Sequence, residues 1–212
     1  MMLKTMPIFI SIISFSLVIR ILLKKSDNGY DKAIDKFVDR ETKANSITKD
    51  FDTLDINFVT PSKTLPFKEY EDTPIYKNVI KKQNLVKRKI ELEMIKIPSN
   101  LTNTEIKERY GINNFDKISL LEEHYNSYVR SLFEWGQELF NLNNIYDSKK
   151  VLLEAARLEA NISQTYITLA KIYVKENNKD SLLKLKNTVE KIELSLKDKV
   201  VQEIDNCINK LL

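Results

Sequence analysis

One cysteine and one histidine stand in the whole chain, Cys207 and His124. A thiol nucleophile needs a base within hydrogen-bond reach, and these two residues fall on different predicted helices. Cys207 reads as a small apolar residue of the last helix, and His124 as a surface or interhelical residue. One cysteine forms no disulfide within the chain, and one Cys with one His falls short of a zinc site. Asp27, Asp31, Asp35 and Asp39 recur every four residues, which aligns them along one helical face. Such a stripe attracts divalent cations, but Lys32 can pair with Asp35 and Lys36 with Asp39, so a solvated face is expected instead. The sequence holds no glycine-rich phosphate loop, no metal-ligand spacing and no Ser/His/Asp grouping. No catalytic residue, metal, cofactor or small-molecule substrate is expected, and the chain does not read as an enzyme.

The densest basic cluster comprises Lys77, Lys81, Lys82, Lys87, Arg88 and Lys89. Near an anionic lipid surface each such residue contributes about 1 kcal/mol, and Lys81, Lys82, Lys87, Arg88 and Lys89 are the candidates for that contact. The competing reading is a solvated helix face balanced by Glu91 and Glu93. The net charge of +4 is too mild to point to nucleic acid.

The elements that carry these residues read as helices. Hydrophobic residues make up 42% of the chain and charged residues 30%, with three glycines and five prolines, which predicts an all-α protein. From Pro7 the run IFISIISFSLVI is uncharged, Arg20 interrupts it, and Lys24-Lys25 close it. That is about the ~20 residues a helix needs to span a bilayer. No small-x-small cleavage site follows, so residues 1–25 are expected to be a retained single-pass transmembrane anchor. The basic residues after it predict a cytoplasmic C-terminal part. Residues 26–72 read as a juxtamembrane helix, with Tyr30, Ile34, Phe37 and Val38 at helical spacing, and then an extended linker. Phe51, Leu54, Ile56, Phe58, Val59, Leu65 and Phe67 make that linker too apolar to hang free, so part of it is expected to dock on the domain that follows.

Residues 73–212 read as an α-helical domain. Thr73-Pro74 starts a helix that the apolar pattern carries to about Ile97. Thr102 and Glu105 form a capping box, Gly111 stops that short helix, and Asn113 or Asn114 caps a longer one over 116–141. Two hairpins then repeat. Leu132, Trp135, Gly136, Leu139, Ser148, Leu152 and Ala155 recur 34 residues later as Tyr166, Leu169, Ala170, Tyr173, Leu182, Lys186 and Val189. The turn Asn143-Asn144 recurs as Asn177-Asn178.

That period, and the large, large, small, large order at its start, resembles the tetratricopeptide (TPR) repeat. The units would be 129–162 and 163–196, with a closing helix at 197–212. The segment Asn103, Glu105, Ile106, Lys107, Tyr110, Gly111 and Asn114 is similar to small membrane-anchored TPR-like proteins of Gram-positive anaerobes. In the second unit Leu182 stands at a small position and Lys186 at a large one, so its second helix is expected to tilt or shift by a residue. The resemblance implies a groove lined by the first helix of each unit: Arg130, Phe133, Gln137, Phe140 and Asn141, then Gln164, Ile167, Lys171, Val174 and Lys175. TPRs that clamp a C-terminal carboxylate use lysine and asparagine at the fifth and ninth positions. Phe133 and Gln137 stand there, which argues against that ligand. The expected function is a membrane-anchored adaptor that binds a protein or peptide. The alternative is a membrane-surface assembly factor using the basic helix 77–89.

Overall fold

The computed structural model describes residues 30–211, and among these the fold is all-α with eight helices. They are α1 (residues 30–44), α2 (Lys77–Lys89), α3 (Asn103–Tyr110), α4 (Phe115–Asn141), α5 (Ile145–Arg157), α6 (Ser163–Lys175), α7 (Lys179–Lys191) and α8 (Lys197–Asn209). The arrangement is compatible with a helical repeat fold. The transmembrane part of the expected fold class is corrected. No helix among the described residues is long and apolar enough to cross a membrane, and the anchor expected at 1–25 lies outside them. The longest helix, α4, carries Asp116, Lys117, Glu122, Glu123, Arg130, Glu134 and Glu138 along its length, and charges so spread are incompatible with a bilayer core.

The chain divides into two compact units, Met1–Leu54 with Thr102–Phe115, and Asp55–Leu101 with Asp116–Leu212. The residues taken together as a linker segment, 26–72, are therefore split between them. In the first unit, polar contacts join α1 to α3. Arg40 donates through Nε and Nη2 to the Glu108 carboxylate at 2.8 and 2.6 Å. Glu41 accepts from Thr104 Oγ1 at 2.6 Å and from Lys107 Nζ. The capping box forms as the sequence predicts, Thr102 Oγ1 accepting from Glu105 N and the Glu105 carboxylate from Thr102 N. Gly111 follows at φ +85°, and a Cβ there would meet Lys49 N at 2.8 Å. Only glycine suits both the angle and the approach. Asn113 and Asn114, expected to cap α4, instead donate their side-chain amides to Lys49 O.

In the second unit the linker residues are part of the fold. Val59 N donates to Met94 O at 2.8 Å, and Phe58 pairs with Ile95 in an antiparallel bridge. Leu65 is buried, and Phe67 stacks on Trp135 with ring centroids 5.2 Å apart and planes within 8°. Ser62 N donates to Glu154, and Arg157 to Thr60 O, each at 2.8 Å. The helix expected to reach Ile97 stops at Lys89. Beyond it Met94, Ile95 and Ile97 are all buried from an extended segment, tied down by Ile95 N donating to Leu121 O. Apolar residues this close together fit either period, and tertiary pairing decided for the strand-like one.

The hairpins keep the 34-residue offset in three dimensions. α5 and α7 start at Ile145 and Lys179 and end at Arg157 and Lys191. Asn143 and Asn177 turn the chain at φ 56° and 51°, and Asn144 and Asn178 cap the following helix by accepting from Asp147 N and Ser181 N. Asparagine tolerates the left-handed region and caps well. α7 shows no shift of register. Leu182, Leu185 and Val189 are buried, while Lys186 leaves the core and pairs with Asp205 at 2.7 Å. In the first hairpin the helices nearly touch at Gly136, where a Cβ would lie 2.7 Å from both Cγ and Cδ2 of Leu152.

Two outcomes are expected. Gly136→Ala gains about 1 kcal/mol of helix propensity but forces the fully buried Leu152 to move, an overpacking cost of about 1–3 kcal/mol. The net expectation is a loss of up to about 2 kcal/mol in urea unfolding. In the first unit, hydrogen bonds hold three carboxyls below their ordinary 4.5: Lys107 for Glu41, the Thr102 backbone for Glu105, and Arg40 for Glu108. Depressed carboxyl values stabilise the fold above the unfolded value and lose that contribution as pH falls through the folded one. Amide exchange across 103–114 should therefore accelerate as pH drops below 4.5 relative to that of 163–175. Equal acceleration in both would contradict it.

Candidate partner groove

Apart from Lys186, the large and small residues of the repeat pattern are in the interior. Leu132, Trp135, Leu139, Leu152, Ala155, Tyr166, Leu169 and Ala170 are fully buried, and Tyr173 is nearly so. Gly136 and Ser148 are buried too, and Ser148 Oγ donates to Gly136 O at 2.7 Å. With the interior filled from one side of α4 and α6, a different set of residues is left at the surface.

That set holds the ten predicted groove residues, and none of them is buried. Arg130, Asn141, Gln164, Lys171 and Lys175 are exposed, and Phe133, Gln137, Phe140, Ile167 and Val174 are half-buried. Phe133, Phe140, Ile167 and Val174 rest with one side against the core around Tyr166, Leu169 and Ile172. Polar contacts bring α4 and α6 together on this face. Thr168 Oγ1 donates to Gln137 Oε1, and Gln137 Nε2 to Asn141 Oδ1, each at 3.0 Å. Lys175 Nζ lies 4.9 Å from the Phe140 ring centroid and donates to Asn143 Oδ1 at 3.2 Å. The result is two apolar rows with a polar middle, edged by Arg130, Lys171 and Lys175. Its chemistry is that of recognition: apolar area to bury and cations to pair.

The helix expected to close the domain at 197–212 also stands at the repeat offset. α8 starts at Lys197, 34 residues after Ser163. Val200, Ile204 and Cys207 take the buried places of Tyr166, Ala170 and Tyr173, and α8 packs on both α6 and α7. The face therefore continues to Asp198, Val201 and Asp205. The signal was present in the sequence, since the same offset carries Leu132 and Tyr166 on to Val200. Cys207 lies buried in this helix, and burial pushes its thiol up from its ordinary value. His124 is on α4, with Nδ1 2.9 Å from Glu93 O.

The basic cluster is divided by its surroundings. Lys82 pairs with Glu134 at 2.6 Å. Lys89 is half-buried and donates to Ser127 O and Ser131 Oγ at 3.0 and 2.7 Å, with burial lowering its pKa. Lys87 lies 5.6 Å from the Phe67 ring centroid. Lys81, Lys87 and Arg88 are exposed. Three of the five candidate lipid contacts thus also hold α2 and the Phe67 segment within the domain.

A separate cavity of about 610 Å³ is lined by Lys96, Pro98, Glu122, Tyr125, Glu159, Lys191 and Glu193, among others. Lys96 pairs there with Glu159, and Ser99 donates to Glu193, while burial raises the Glu122 carboxyl. No protein-family model, no curated protein and no solved structure matches the chain.

Proposed function

We propose that the chain is a non-enzymatic adaptor of the tetratricopeptide kind, and that the face shared by α4 and α6 holds a protein or peptide partner. The observation that carries this reading is the half-open apolar pair of rows, Phe133 with Phe140 and Ile167 with Val174. A buried polar or charged set at those positions would have spoken for structure alone. Instead the repeat-pattern residues fill the core without them, which leaves apolar area for an incoming segment. Gln137 at the middle of the face, bonded to Thr168 and Asn141, gives the partner backbone or side chains a polar contact. Phe133 at the place of a clamp lysine directs the reading to an internal segment rather than to a free carboxylate. The second reading, contact with anionic headgroups through α2, draws mainly on Lys81, Lys87 and Arg88, since Lys82 and Lys89 are already engaged.

The test compares affinity capture by the full chain with capture by a Phe133→Ser, Lys171→Glu double variant. Both positions are partly or fully exposed, so the variant should keep the wild-type circular dichroism spectrum. A specific partner should be held by the wild type and depleted at least about tenfold, about 1.4 kcal/mol, by the variant. Equal recovery by both would remove the groove from the reading.

A further inference from the structure

We infer that the groove receives helix α1 of a second copy of the chain, so that the protein associates with itself. This rests on the reading of the α4–α6 face as a groove. α1 is amphipathic in an unusual direction: Tyr30, Ile34, Phe37 and Val38 are 70, 43, 62 and 52% exposed. They stand at i, i+4, i+7 and i+8, the spacing by which a helix anchors itself in an apolar groove. Four large apolar residues on one helix face, left in water, mark an interaction surface.

The spacing of both surfaces agrees. Tyr30 and Phe37 are seven residues apart, as are Phe133 and Phe140 on α4, and Ile167 and Val174 on α6. Seven residues are two helical turns, about 10.5 Å. A helix laid along the groove therefore meets both rows in register, in the manner of a heptad seam, with Ile34 over the middle of the face. The charges agree as well. Asp31 and Asp35 are one turn apart beside the apolar stripe, and Lys171 and Lys175 are one turn apart at the groove edge. Among the described residues none of these four has an ion-pair partner, and all four are exposed. Lys32, Lys36 and Lys43 lie on the opposite side of α1 from its apolar anchors, so they do not approach the groove cations. Acidic complement and matched register together favour this occupant over an arbitrary peptide. The contact joins two different patches, so it is heterologous and leads to a closed or an extended assembly according to the rotation it imposes.

Sedimentation velocity on the full chain, up to about 100 µM, tests this, because that range detects association in the micromolar class. The expected result is a mass above the monomer. Ile34→Glu with Phe37→Glu, and separately Lys171→Glu with Lys175→Glu, should each weaken association by at least about tenfold with an unchanged circular dichroism spectrum. Combining Lys171→Glu and Lys175→Glu with Asp31→Lys and Asp35→Lys should restore it. A monomeric wild type, association that survives both sets of substitutions, or failure of the charge exchange to rescue would each overturn the inference. If the wild type is monomeric while Phe133→Ser, Lys171→Glu still abolishes capture of another protein, self-docking falls and the groove stands. If neither association nor groove-dependent capture is found, both readings fall.

Discussion

The repeat region depends on how closely two helices approach at Gly136. Leu152 occupies the space that a Cβ at this position would need, and Ser148 donates its hydroxyl to the Gly136 carbonyl in the same dry interior. That oxygen already belongs to the helix ladder, and its second lone pair serves the neighbouring helix, so the buried Ser148 hydroxyl is paired. With α4 and α5 fixed at this distance, Trp135 and Leu132 fill the space beside them. α6 follows α5 through a turn with Glu159 at φ 54°, and the left-handed turn at Asn177 then places α7 as that at Asn143 placed α5. The second hairpin solves the problem differently. Ala170 stands for Gly136, and Lys186 for Leu152, with its ammonium carried out to Asp205. There α8 packs on both α6 and α7.

The two ends of the stacked helices are managed differently. On one side Phe67 lies flat on Trp135 and Leu65 is buried beside it, which covers apolar surface that would otherwise face water. Lys68 ties this segment down by pairing with Asp147, and its backbone exchanges two hydrogen bonds with the Gln83 side chain. On the other side α8 is the third helix of the series. Its outward positions Lys199, Gln202 and Asn206 are polar and exposed, as terminal elements of stacked folds need to be.

Periodic features were legible in the sequence because they are set locally. The asparagine turns, the Thr102–Glu105 capping box, the stop at Gly111 and the interior places of Leu132 through Tyr173 each follow from a few neighbouring residues. What stayed hidden depends on partners distant in sequence. Met94 and Ile95 leave the helical pattern because Phe58, Val59 and Leu121 offer them backbone pairs, and Ile97 follows them in the extended segment. Arg40 and Glu41 belong with α3 because Glu108 and Lys107 await them there. The α8 register is written in the sequence less plainly: Val200 and Cys207 are smaller than Tyr166 and Tyr173, and Ile204 stands where Ala170 is small. The ten groove positions lie together on one partly exposed face, whereas the basic cluster on α2 proved to be divided between solvent and internal contacts, which charge spacing alone does not reveal.

The pairing of residues 30–54 with 102–115 also imposes an order of events on the newly made chain. Each hairpin from α4 onward closes over a few residues, and such contacts form early because little entropy is lost in closing short loops. Arg40 and Lys49 find Glu108 and Asn113 only across 68 and 64 residues, a closure that costs more entropy and comes later. During synthesis α1 therefore emerges well before α3 exists, and it waits with an apolar face open and its acidic and basic ends unanswered. The interval is a property of the chain's connectivity rather than of any single contact, and it leaves α1 as the last helix to find its place.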